Sequence, residues 1–74
     1  MNHIETITAA AAEKGIILSA GQIEHAINTL ESDISAHNKR VASWVAAGIE
    51  YDAEAAICNV PAKARAAVRA ARMI

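Results

Sequence analysis

The sequence predicts an all-α protein, a small helical bundle built on a long antiparallel αα-hairpin, with residues 1–74 forming one domain. Three observations carry this. Nineteen of the 74 residues are alanine, the strongest helix former. Apolar residues recur at alternating steps of four and three, the 3.5-residue period of packed helices rather than the two-residue period of strands. The interruptions fall where helix caps belong.

The first helix is expected over about residues 3–14. In "NHIE", Asn2 and Glu5 have N-cap and N3 spacing, and Gly15 follows "AAAAEK" as a natural C′ residue. Ile4, Ile7 and Ala11 fall on one face.

The second helix opens on stronger signals. Ser19 and Gln22 stand at capping-box spacing, and Leu18 and Ile23 hold the N′ and N4 positions of a hydrophobic staple. Ile23, Ile27, Leu30, Ile34, His37, Val41, Trp44 and Gly48 then form one seam, so the helix runs over about 20–47 and Gly48 ends it. Such a helix is about 42 Å long. A compact chain of this size has a radius of gyration of about 11 Å, hence a diameter of roughly 30 Å. Either the helix breaks, near "SAHNK", or the molecule is elongated. On the opposite side Thr29, Ser32, Ala36, Ser43 and Ala47 make a stripe of small residues, which suits either solvent or a closely approaching helix.

"GIEYD" reads as a short connection, with Asp52 as N-cap of a third helix over about 52–74. Its seam is Ala53, Ile57, Val60, Ala64, Ala67, Ala71 and Ile74. Pro61 cannot donate to the carbonyl of residue 57, so this helix is either kinked or broken near Asn59 and Val60. A short loop between two such helices makes the hairpin antiparallel.

Composition narrows the function classes. Hydrophobic residues make up 54% of the chain, yet there is no Phe, and Trp44 and Tyr51 are the sole aromatic anchors. Alanine brings little area to bury, so a second copy or a partner is expected to complete the core. The net charge of −1 sets up no strong field toward nucleic acid or an anionic membrane. Cys58 is single, which rules out an internal disulfide and points to a reducing compartment. Glu5 interrupts any leader-like start, and the longest uncharged runs, "GIILSAGQI" and "VASWVAAGI", are nine residues each. Neither can span a bilayer, and the expected location is the cytoplasm.

Catalytic and metal patterns are missing. Gly15, Gly21 and Gly48 give neither a P-loop nor a G-x-G-x-x-G turn, and there is no G-x-S-x-G elbow. No C-x-x-C or H-x-x-x-H pair occurs, and His25 and His37 lie about 18 Å apart along one helix. No enzyme activity, metal or cofactor is expected. His37 on the seam is either a pH-sensitive interface residue or a polar residue that bonds locally and fixes register; its coiled-coil position argues for the second. Cys58 reads as a small buried residue.

The binding candidates are two surfaces. The first is a dimer or partner seam of Ile27, Leu30, Ile34, His37, Val41, Trp44 and Tyr51. The second is a basic face of Arg65, Arg69 and Arg72, which lie within about 60° on a helical wheel. They would either hold phosphates or, with the hairpin turn at residues 49–50, face Glu24, Glu31 and Asp33 of the second helix. No aromatic side chain interleaves them for base stacking, which argues for the docked arm. The function expected is therefore that of a small non-enzymatic interaction protein. It would form a homodimer and modulate or inhibit an unidentified partner protein. In style it is similar to the small inhibitors that phages and plasmids encode, anti-CRISPR proteins included, with no shared motif. A nucleic-acid-binding accessory protein using the basic helix is the alternative, and a structural subunit of a larger assembly the second one.

Overall fold

The computed structural model describes residues 3–74, and every regular element among them is an α-helix. α1 spans His3–Glu13, α2 Ala20–Ala47, α3 Ala53–Ala56 and α4 Val60–Ala71. The expected Asn2 cap lies outside the described residues.

The caps explain the boundaries. Gly15 is left-handed at φ 65°, and the Ile16 N–H donates to the Ala11 carbonyl at 3.0 Å while the Gly15 N–H donates to Ala12 at 3.1 Å. This is a Schellman end. The capping box of α2 is complete: the Gln22 N–H donates to Ser19 Oγ at 3.2 Å and the Ser19 N–H to Gln22 Oε1 at 2.9 Å. α2 then runs unbroken through "SAHNK" to a second Schellman end. There Gly48 has φ 67°, and the Ile49 N–H reaches the Trp44 carbonyl at 3.0 Å.

Both glycines are present for backbone reasons, since a Cβ added at either would meet nothing within 4 Å. Gly15→Ala and Gly48→Ala are each expected to cost about 1–2 kcal/mol by urea denaturation, the penalty of a left-handed L-residue. An unchanged midpoint would show that these turns are not left-handed.

Of the two forms the third helix was expected to take, the broken one is found. α3 is a single turn, Ile57 is extended at φ −82° and ψ 124°, and α4 starts afresh. Asn59 Oδ1 accepts from the Ala62 N–H at 3.1 Å, and Pro61 sits in the first turn of α4, where no N–H partner is required. Asp52 precedes α3 as expected, but its side chain makes no capping bond. The break also ends the second seam early. Ala53 and Ile57 are exposed, whereas Ala64, Ala67 and Ala71 are fully buried.

α1 and α4 run parallel to each other and antiparallel to α2, covering its first half. His3 Nδ1 and Glu31 Oε1, 3.1 Å apart, mark where α1 begins along α2. The core holds Ile7, Leu30 and Val68 as its largest fully buried side chains, surrounded by Ala10, Ala11, Ala26, Ala64, Ala67 and Ala71. Ile16, Leu18, Ile27, Ile34 and Val60 pack against it from the edges. Ile4 is not part of it: 56% of it is exposed, because α1 turns Ala10 inward instead.

The molecule measures 44 × 22 × 19 Å, with a radius of gyration of 14.0 Å. The elongated form is therefore the one adopted, and its length is that of α2. Among the described residues no helix is long and apolar enough to cross a membrane.

Candidate interaction surface

Helix lengths create the surface. α2 has 28 residues, whereas α1 has 11 and α4 has 12. α1 begins beside Glu31 and α4 begins near His37, so the last ten residues of α2 extend about 15 Å past both.

The segment 48–59 folds back over one side of this extension. Two contacts hold it: Trp44 and Tyr51 lie with ring centroids 5.4 Å apart at 36°, and His37 Nε2 donates to the Ala56 carbonyl at 3.2 Å. Aromatic pairs at such separations stabilise by about 0.5–1.5 kcal/mol beyond area burial. His37 is 8% exposed, and this bond satisfies one of its two ring nitrogens. The bond joins α2 to the returning segment 19 residues on, so it is a tertiary contact and not the local one considered for a seam histidine.

The covering is incomplete. Val45 is 61% exposed, Ile49 54%, Tyr51 41% and Ile57 68%. Val41 and Trp44 are half-buried. Val41, Trp44, Val45, Ile49 and Tyr51 form an apolar end, whereas Ile57 lies back beside Asp33 and Ala62. Lys39 and Arg40 precede this end in α2, and Glu50, Asp52 and Glu54 fall in the returning segment. Among the described residues, the ion pairs involve none of these five charges.

The seven seam candidates thus divide. Leu30 is fully buried, Ile27 and Ile34 pack on the same core, and His37 is bonded to Ala56. Those four are used inside the chain, whereas Val41, Trp44 and Tyr51 lie outside the core. Val45 and Ile49 join them although the seam arithmetic passes them over. The sequence signal for both is the mismatch in helix lengths, not the heptad phase.

The basic face divides too. Arg65 does not face the acids of α2: its Nε donates to Glu13 Oε2 of α1 at 3.0 Å. Lys63 instead lines a cleft with Asp33 and Glu54. Arg69 and Arg72 lie further along α4, beside Lys14 and Gln22. The Arg65–Glu13 pair is half-exposed on both sides, so it contributes well under about 1 kcal/mol. The small-residue stripe faces outward, with Ser32, Ala36, Ser43 and Ala47 all exposed. Cys58 is partly buried, and among the described residues no three His, Cys, Asp or Glu side chains converge.

Comparison with protein-family models, curated proteins and solved structures returns no match to the chain.

Proposed function

We propose that the chain is a small non-enzymatic α-helical interaction protein. It self-associates through its projecting end and binds a partner protein whose activity it modulates or inhibits. The observation that carries this reading is the extension of α2 past both neighbours with Val45, Ile49 and Tyr51 exposed around Trp44.

Areas support it. The accessible surface is 5034 Å², whereas a compact protein of 7.8 kDa exposes about 4,400 Å². The excess, about 600 Å², belongs to the elongated shape as a whole, and a second copy on the projecting end would cover part of it. A second copy suits this end for a further reason: a two-fold axis near Val45 sets the exposed Val45 and Ile49 of one copy against the same side chains of the other. Binding of nucleic acid draws less support, because Arg65 is engaged by Glu13 and no aromatic ring lies beside Arg69 and Arg72.

Trp44 is the sole tryptophan, so intrinsic emission reads this end directly. Dilution from about 100 μM to about 0.1 μM, across the range where modest interfaces dissociate, should shift the emission to longer wavelength as Trp44 loses its cover. A spectrum independent of concentration would count against self-association here.

A further inference from the structure

At the far end of the molecule from Trp44, the α1–α2 turn meets the last turn of α4. Lys14, Arg69 and Arg72 line one cleft there, together with Ile16, Ile17 and Gln22. No acid lines it. The ion pairs among the described residues take His3, Glu31, Glu13 and Arg65, so these three cations are left unpaired.

Helix ends offset a minor part of that charge. The C-termini of α1 and α4 each present about −0.5 and the N-terminus of α2 about +0.5, so roughly half a negative charge stands against three positive ones. A strongly positive cleft remains.

Ile17 sits on its rim, 96% exposed. On its other side Ile16 and Ile17 help line an apolar cleft with Ala11, Ala12, Leu18 and Ile23. A cationic pocket and an apolar socket therefore share one wall. A single strand would call on flat rings to stack its bases, and both aromatic residues lie at the opposite end. A duplex would call on a longer cationic track than three side chains in one cleft. An anionic bilayer would need a broad face with more cations than three.

We propose that this end binds an acidic peptide segment of a partner protein. Its carboxylates are taken by Lys14, Arg69 and Arg72, and a neighbouring aliphatic side chain enters the socket beside Ile17. The proposal rests on the reading of the chain as a protein-binding module and names the chemistry of its partner. Arginine forks grip carboxylates in pairs of parallel bonds, and the adjoining socket adds selectivity for acidic segments that carry an apolar anchor.

The test titrates the ¹⁵N-labelled protein with a short Asp/Glu peptide containing one central leucine. Amide shifts are expected at Lys14, Gly15, Ile17, Gln22 and Arg69, and none around Trp44. Combining Lys14→Gln, Arg69→Gln and Arg72→Gln should raise Kd by about tenfold or more, and raising salt should weaken binding. Ile17→Ser, at a site too exposed to affect folding, should raise it by about fivefold, as should leucine-to-serine in the peptide. Arg65→Gln should leave Kd unchanged.

Absent shifts at millimolar peptide would overturn the proposal. So would an unchanged Kd in the triple variant, or tighter binding of an oligo-dT strand or of phosphatidylserine vesicles. Failure of the parent reading is separable. A chain that stays monomeric yet binds the peptide removes self-association and keeps this site, while a dimer that ignores the peptide does the reverse.

Discussion

Leu30→Ala is expected to destabilise the protein by about 2–5 kcal/mol, the range for deleting a buried leucine and leaving a cavity. Leu30 has no exposed surface and lies in the half of α2 that α1 and α4 both cover. Ile7 and Val68 are the other large side chains that are fully buried, and the alanines around them have no rotamers with which to fill a void. The cavity would therefore persist. A chain of this length is stable by only about 4–11 kcal/mol, so one substitution removes a large share of the total. Urea denaturation should show a lower midpoint with little change in slope. A midpoint within error of the parent would place Leu30 outside the core.

Ala67→Leu tests the same core from the opposite direction, and about 1–3 kcal/mol of destabilisation is expected from overpacking. Ala26, Ala64, Ala67 and Ala71 are all fully buried, so α2 and α4 meet through methyl groups and their backbones come close. Three added carbon atoms at position 67 have no room unless the helices separate. Ala66→Leu, one residue away on the exposed side, should be nearly neutral, because alanine and leucine differ little in helix propensity. A stabilising Ala67→Leu would reveal an unfilled space between α2 and α4 and contradict close packing.

Much of the fold is legible in the sequence, for a local reason. The bounds of α2 follow from Ser19, Gln22 and Gly48, whose effects act within one turn of the backbone and need no tertiary information. The same holds for Gly15 at the end of α1. Pro61 is legible as an interruption, but choosing between a kink and a break depends on whether the segment before it gains more by folding back. Trp44, Tyr51 and the bond from His37 to Ala56 supply that gain, across distances no local pattern encodes.

The candidate surfaces are less legible. A helical wheel places Arg65, Arg69 and Arg72 on one side of α4 but does not say which helix shares that side. α1 lies alongside α4, so Glu13 engages Arg65 and the acids of α2 do not. The heptad seam likewise treats Leu30 and Trp44 as equivalent. What separates them is that α1 and α4 cover the first half of α2 and stop, which leaves Leu30 in the core and Trp44 at the apolar end. Lys14 and Ile17 gain their interest only when the α1–α2 turn is brought beside the end of α4.

Self-association through the projecting end is the central claim, and sedimentation equilibrium tests it most directly. Measured from a few micromolar to several hundred micromolar, the parent chain should approach twice its 7.8 kDa mass. Val45→Glu, which puts a charge in the middle of the apolar end without touching the core, should hold the mass at that of one chain across the range. A parent chain that remains at 7.8 kDa at the highest concentration, while unfolding cooperatively, would contradict the account.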